Sequence, residues 1–558
     1  MRYKRALAYA LVGPGLIATT MAFGGVKKAA AMDSIYECNQ YNGGKQVALD
    51  VNHNTGVITP NTGTTTAKTI QAAINEARSN TTAPSSAGSG SGDTVLVCQG
   101  TYLGDVFIPT GNDNLTVRSE EGPNSVTVVG DGSSPVFNID DRGLVLGGPA
   151  EGFTIEVNGP TATDVVGIHL GIAGAQNTAN EDEQCMAAGT PVSTASGCDQ
   201  AAPAEVTIND EISDNVLTNF RVASGANVTA IKLDNTINST VQQNKVQNLV
   251  PGNVKAGTIS GIVVGGFNEP VGDAPGTTAP PTDNAYQPGD SSDINTSVLQ
   301  NAISALLPGS GSTCPATTSI TSGSTSAVSG IEVDGFSLDS TVYNNLVQPL
   351  VDDDAATCPV VGIFSDAYGS LENEQTGTLA PVNANIDNNL IQQVGPKADD
   401  ANAAGVVLEP TPTTANPKPA TAPSGCVSNP PVSQSCQDTI PPSSYTVTQN
   451  ELQQLRTAVD DEAVLGANSY IRDNNFDNDA IGVRNGAEGG TQNMSLDATN
   501  NWWGCELPGN SGPPSTPGSE GSCAALVNSQ GGVTSWAPPQ TARVEGAGQG
   551  AGSGAGNS

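Results

Sequence analysis

Four runs of carboxylates stand out in this chain: Asp140-Asp141, Asp352-Asp353-Asp354, Asp399-Asp400 and Asp460-Asp461-Glu462. Neighbouring carboxylates suit two kinds of chemistry. They can hold a hard cation such as Ca²⁺ through oxygen ligands, or, at separations of roughly 5 to 9 Å, divide the acid and base roles of a hydrolysis. The run at Asp460 comes shortly before Arg472 and Arg484, so carboxylates and a guanidinium meet on one face if the two stretches fold side by side. Asp460, Asp461 and Arg484 are therefore the candidate catalytic set, with one carboxylate as acid or Ca²⁺ ligand and the Arg holding or deprotonating an acidic substrate. Asp352, Asp353 and Asp354 are the candidate Ca²⁺ ligands; no other cofactor is expected. Runs of this kind also serve as solvated turns in so acidic a chain. The two histidines, His53 and His169, are isolated, and no CxxC occurs, which argues against an ordinary zinc or copper site. His169, inside Gly167-Ile168-His169-Leu170, reads as a strand residue in the wall of the fold.

A repeated phrase positions these residues. Ser329-Gly330-Ile331-Glu332-Val333 leads to Asn344-Asn345-Leu346-Val347, and Val361-Gly362-Ile363-Phe364 leads to Asn388-Asn389-Leu390-Ile391. A chain that writes the same strand, turn and strand many times is stacking coils. From Asn215 to Asn244 the step is 29, from Asn450 to Asn475 to Asn501 it is 25 and 26, and Asn301, Asn345 and Asn389 are 44 apart. The shorter steps fit one coil of short strands, and the longer ones a coil carrying an insert. The inserts, at 265–293, 308–326, 367–381 and 410–444, are rich in Pro, Thr, Ser and Gly. An Asn at each corner tolerates left-handed backbone angles, and stacked amides hydrogen-bond along the column. This predicts an all-β solenoid with an asparagine ladder.

The 558 residues carry 20 Lys+Arg against 55 Asp+Glu, a formal charge of −35, which argues against nucleic acid and against polyanionic sugars unless Ca²⁺ intervenes. Arg2, Lys4 and Arg5 precede an apolar run and then Lys27-Lys28-Ala29-Ala30-Ala31, so residues 1–31 read as a signal peptide and the mature chain as having no transmembrane segment. The ten cysteines agree with export. They fall into neighbour pairs, Cys38 with Cys98, Cys185 with Cys198, Cys314 with Cys358, Cys426 with Cys436 and Cys505 with Cys523, which predicts five local disulfides. Residues 32–92 form an N-terminal cap and linker, with a helix over Thr69 to Arg78 whose Ile70, Ala73, Ile74 and Ala77 share a face. Residues 93–540 hold the coils. Trp502 and Trp503 fit a plug at the end of the stack better than a sugar platform, and residues 541–558, nearly all Gly, Ala and Ser at their end, read as a disordered tail.

Thr69-Ile70-Gln71-Ala72-Ala73-Ile74, then Gly92-Asp93-Thr94-Val95-Leu96-Val97, Gly100-Thr101-Tyr102 and the Arg118-Ser119-Glu120 corner resemble the opening of the right-handed parallel β-helix proteins of the pectin-lyase-like superfamily. Asp497-Ala498-Thr499-Asn500-Asn501-Trp502-Trp503-Gly504 is similar to the closing coil of secreted members. The resemblance spans about residues 65 to 540 and takes in the NosD-like branch of periplasmic copper-enzyme maturation proteins. It implies a right-handed single-stranded parallel β-helix, located outside the cell, at its surface or in the periplasm. The Gly-His-Gly and Arg-Ile-Lys strings of the family's polygalacturonan hydrolases are absent. The reading favoured is therefore binding or adhesion to a polysaccharide or cell-surface glycan. A polysaccharide lyase or glycoside hydrolase with another carboxylate site is the first alternative, and a periplasmic metalloenzyme maturation factor the second.

Overall fold

The computed structural model describes residues 47–51, 58–62, 69–79, 93–109, 114–171, 207–234, 236–251, 257–265, 293–307, 328–334, 337–351, 360–366, 383–395, 403–408, 444–461, 469–486, 495–505, 507, 512–516, 523–529 and 533–552. Successive coils contribute one strand each to three long sheets of 12, 10 and 11 strands, with a four-stranded sheet at one corner. The pairings between coils are parallel, as in Val328–Asp334 on Val360–Asp366 and Val360–Asp366 on Ala403–Leu408. The chain is thus a right-handed parallel β-helix, the handedness that parallel crossovers favour.

At its N-terminal edge, Val47–Val51 pairs antiparallel with both Ile58–Thr62 and Thr94–Val97, which ends the parallel stack. Helix α1, Thr69–Ser79, buries Ile70, Ala73, Ile74 and Ala77. Open sheet edges invite further strands, so this cover protects the end. At the other end, Trp503 is fully buried with its ring 5.2 Å from Phe476, and Cys505 is bonded to Cys523 with Cα atoms 5.1 Å apart. Cys98 is also disulfide-bonded. Cys38, Cys185, Cys198, Cys314, Cys358, Cys426 and Cys436 lie outside the described residues. No helix among the described residues is long and apolar enough to cross a membrane.

The core is a column of aliphatic side chains from all three sheets, among them Val298, Ile303, Ile331, Val342, Val347, Ile363, Ile386 and Ile391. The small residue in each repeated phrase has a packing cause: a Cβ on Gly362 would lie 2.6 Å from Gly405 O and 2.7 Å from the Ile391 side chain. The phrase is Gly before an aliphatic because the next coil's carbonyl and a core side chain leave no room there for a Cβ, as at Gly330 with Gly362 O at 2.5 Å.

One corner holds the asparagine ladder. Asn215, Asn244, Asn301, Asn345, Asn389, Asn450, Asn474 and Asn501 are all fully buried. Each Nδ2 donates to the Oδ1 of the next, at 3.0 to 3.2 Å. The same Oδ1 accepts the backbone N–H of the preceding ladder residue, as from Asn301 N to Asn345 Oδ1 at 2.9 Å, and Nδ2 also reaches a backbone carbonyl, as from Asn345 to Val298 O at 2.9 Å. Two points of the sequence reading are corrected. The rung between Asn450 and Asn501 is Asn474, not Asn475, and the left-handed backbone belongs to the residue before each rung: Asp214, Gln243, Gln300, Asn344, Asn388, Gln449, Asp473 and Asn500, with φ between 53° and 60°. The turn and the ladder are adjacent residues with separate tasks. Of the residues 541–558 expected as a disordered tail, 541–552 form turns packed along this corner, with Ala547 only 9% exposed, and 553–558 lie outside the described residues.

Two further corner carboxyls are buried as backbone acceptors, Asp210 for Leu144 N at 2.7 Å and Asp479 for Leu455 N at 2.8 Å. Burial pushes Asp210 up to about 8, against the opposing backbone hydrogen bond, and drives Asp479 well above the carboxylate range.

Ladder and corner make different predictions. Asn389→Leu removes donors and an acceptor from a dry column and should destabilise by about 1 to 3 kcal/mol, whereas Gln300→Gly, which relieves a left-handed residue, should stay within about 1 kcal/mol of the parent; urea midpoints compare the two. For Asp210, the folded chain keeps a proton that the unfolded chain has released between about pH 4 and pH 8, so the group lowers stability as pH rises, by up to about 1.4 kcal/mol per unit, and Asp479 acts in the same direction. The melting temperature should therefore be higher at pH 5 than at pH 8. Asp210→Asn, which keeps the acceptor and loses the titration, should flatten that slope; an unaltered slope would remove Asp210 as a source.

Candidate functional site

The third sheet is where the coils open. The chain leaves it at Val264, Asp366, Leu408 and Asp461 into stretches that return at Asp293, Asn383, Ser444 and Ser469, and other stretches precede its strands at Val328, Val360 and Ala403. Strand alternation turns every second side chain outward. Register places the outward residues in a column: Asn138, His169, Lys232, Val263, Glu332, Phe364, Val407, Asp460, Arg484 and Val527. From His169 to Asp460 is six rungs, about 29 Å at ~4.8 Å per coil. A second outward column adds Ser260, Ser329, Val361, Ala404 and Thr457.

The end nearer the C-terminus carries the pair expected from the sequence. Arg484 Nη1 donates to Asp460 Oδ2 at 2.6 Å, and Nη2 lies 3.3 Å from Thr457 Oγ1. Asp460 is 1% exposed, and burial raises its pKa to about 6 although Arg484 pulls the other way. Asp461 is brought to the next position but is fully buried and aligned with Asn485, so it does not face Arg484. Arg472 lies in the first sheet, where it pairs with Asp497 and stacks over Tyr470 at 4.8 Å. Asp352, Asp353, Asp354, Asp399, Asp400 and Glu462 lie outside the described residues.

The other end gathers residues that were not read together. His169 Nε2 is 2.9 Å from Asp234 Oδ2, and its Nδ1 is 2.9 Å from Asn138 Oδ1. Lys232 Nζ is also 2.9 Å from Asp234 Oδ2. Burial acts to raise the Asp234 carboxyl, but the hydrogen bonds and charges of His169 and Lys232 outweigh it and hold the group below its ordinary value. Asp140, beyond the strand of Asn138, is pushed by burial up to about 6, with His169 opposing. Two carboxyls driven in opposite directions around one imidazole have the electrostatic form of an acid and base pair. Alignment of the phrases Ile168-His169-Leu170 and Ile231-Lys232-Leu233-Asp234 was the signal that would have joined them.

Between the ends, Glu332 Oε2 accepts from Ser260 Oγ and Ser329 Oγ at 2.9 Å each. Beside it Val361, Phe364, Ala404 and Val407 form an apolar cluster separate from the core. The outward-directed residues are therefore polar, then apolar and buried, then polar along the sheet. Among the described residues no group of His, Cys, Asp and Glu is arranged to hold a metal ion.

No protein-family model matches the chain, and no curated protein matches it in sequence. Solved structures similar to it include a tailspike protein of E. coli bacteriophage HK620 in complex with a pentasaccharide, at 13% identity and a TM-score of 0.30 over 84% of this chain and 62% of that one. This chain thus spans less than two thirds of the tailspike's length. A mannuronic acid specific polysaccharide family 6 lyase from human gut microbiota matches at 10% identity and a TM-score of 0.28, covering 83% of this chain and 89% of that one. PfbA, a surface adhesin of Streptococcus pneumoniae, matches at 12% identity and a TM-score of 0.21, covering 85% and 89%.

Arg484→Leu leaves the Asp460 carboxylate buried without its cation. The expected loss is about 2 kcal/mol at pH 8 and clearly less at pH 5, where Asp460 takes up a proton and needs no partner. Equal shifts of the urea midpoint at the two pH values would mean that Arg484 acts through packing alone.

Proposed function

We propose that the chain is a secreted or cell-surface β-helix protein that binds a polysaccharide lengthwise along the outer face of its third sheet. The observation that carries this reading is the outward column itself: partly exposed polar groups at Lys232, Glu332 and Arg484, with Phe364 and Val407 buried between them, and inserts entering from both strand ends. An extended sugar chain presents a row of hydroxyls that such polar groups can hydrogen-bond, and a rigid sheet holds its contacts without ordering cost on binding. The formal charge of −35 favours a neutral glycan, with an acidic one held only through bridging Ca²⁺.

A second reading, cleavage of the bound chain, is favoured by Asp140, His169, Lys232 and Asp234, a set able to donate and accept protons at one end of the same face. Membership of the pectin-lyase-like superfamily would suit both readings.

Calorimetric titration against a panel of neutral and acidic polysaccharides, with and without Ca²⁺, tests the proposal. Lys232→Gln and Glu332→Gln should each weaken binding about tenfold, equivalent to ~1.4 kcal/mol. Absence of binding across the panel, or binding indifferent to both variants, would overturn it. Release of reducing ends or of unsaturated uronate from the same mixtures, lost in Asp234→Asn, would select the second reading.

A further inference from the structure

The C-terminal segment does more than end the chain. Gly546, Gly548, Gly550 and Gly552 alternate with Ala547, Gln549 and Ala551, and the four glycines have φ of 89°, 67°, 80° and 65°. Successive turns close from Gln549 N to Gly546 O at 3.0 Å and from Ala551 N to Gly548 O at 3.4 Å. Such a left-handed alternation is open to glycine and strained for other residues.

This segment runs back down the solenoid, one coil after another. Arg543 Nη2 lies 2.5 Å from Glu451 Oε1 and its Nη1 3.8 Å from Asp477. Val544 N donates to Asn475 Oδ1 at 2.7 Å, and Asn475 Nδ2 returns a bond to Val544 O at 3.1 Å. Gly548 N donates to Gln449 O at 3.0 Å, Asn388 Nδ2 to Gln549 O at 3.2 Å, and Gly552 N to Asn344 O at 2.8 Å. Three of the bonded partners, Gln449, Asn388 and Asn344, are left-handed corner residues beside the asparagine ladder. The fit is close. A Cβ on Gly548 would lie 2.5 Å from Glu451 Cβ, and one on Gly552 would lie 2.7 Å from Leu346 Cβ.

We infer that the groove along the outer side of the second sheet, from Asp477 and Glu451 to Asn344 and Leu346, is a peptide-binding site selective for a glycine-alternating segment led by an arginine, and that residues 541–552 of the same chain occupy it. Selectivity has two sources: only glycine follows the groove floor at 548 and 552, and Glu451, 4% exposed beside Asp477, selects a cation at the head. Occupancy by the same chain follows from continuity. Gln540 N donates to Asn501 O at 3.0 Å, so the last rung of the ladder hands the backbone directly to the arginine position. The site also accounts for Asn475, a buried asparagine that is no rung of the ladder and instead clamps Val544.

The test uses the full-length chain. In hydrogen exchange the amides of Val544, Gly548 and Gly552 should be protected at least tenfold over an unstructured peptide, and the double variant Gly548→Ala, Gly552→Ala should lose that protection while the coil amides keep theirs. A labelled synthetic peptide of residues 541–552 should then bind the double variant and not the parent, whose groove is filled; the same peptide with Ala at the two glycine positions should bind neither. Arg543→Gln, which leaves the glycines intact, should reduce protection at Val544 first. Free exchange of the three amides in the parent, or no peptide binding to the emptied groove, overturns the inference. Protection that grows with protein concentration, with a dimer mass in light scattering, would overturn the same-chain occupant in favour of a second copy.

Discussion

From Asn215 to Asn501 the coils bend tightly at a corner that water does not reach, and the asparagine ladder is how the bend is made without orphaned polar groups. A buried amide without partners costs several times what a typical hydrogen bond contributes. Here each amide satisfies itself and two neighbours: its oxygen takes two N–H donors from one adjoining coil, and its nitrogen reaches a carbonyl and the next oxygen. The arrangement fixes register, since a slip of one residue would put an aliphatic into the polar column and an amide into the core. The vertical alignment of the other sheets follows from that fixed corner.

Alignment is also what makes a functional face possible. His169 and Asp234 are 65 residues apart in sequence, Lys232 and Glu332 farther still, yet the register of the third sheet stacks them at a uniform interval. Long inserts interrupt the chain on either side of this sheet without disturbing the column, because a loop that starts and ends at neighbouring rungs adds only slowly to the entropy of closure. The solenoid tolerates variation where ligands would be met and forbids it where the coils are joined.

How much of this could be read in advance depended on whether the signal was local or carried by register. Asn345 and Asn389 were legible as rungs because their spacing repeats and apolar residues flank them. Asn474 was not, because Asn475 beside it fits the same pattern and only the fold distinguishes a rung from a clamp. The left-handed turn was assigned one residue late, since either of two adjacent polar residues satisfies the sequence pattern. Helix α1 was visible from its four apolar positions. Asp460 and Arg484 were paired correctly because one coil separates them, whereas the His169 cluster spans an insert and was missed. The tail was misread by composition: Gly and Ala carry little apolar surface, and nothing in their identity reveals a groove shaped to them.

The ladder also has a direction. Each amide gives one hydrogen to the side-chain oxygen of the coil that follows and also reaches a backbone carbonyl of the coil before, while its oxygen accepts from the coil before, so the amide-to-amide bonds run one way from Asn215 to Asn501. The last rung of an incomplete stack would therefore hold its backbone N–H and one amide hydrogen without an acceptor until the next coil supplies an oxygen. Asn501 closes the series by turning its hydrogens onto the carbonyls of Ile471 and Ala498, which leaves no further rung to recruit.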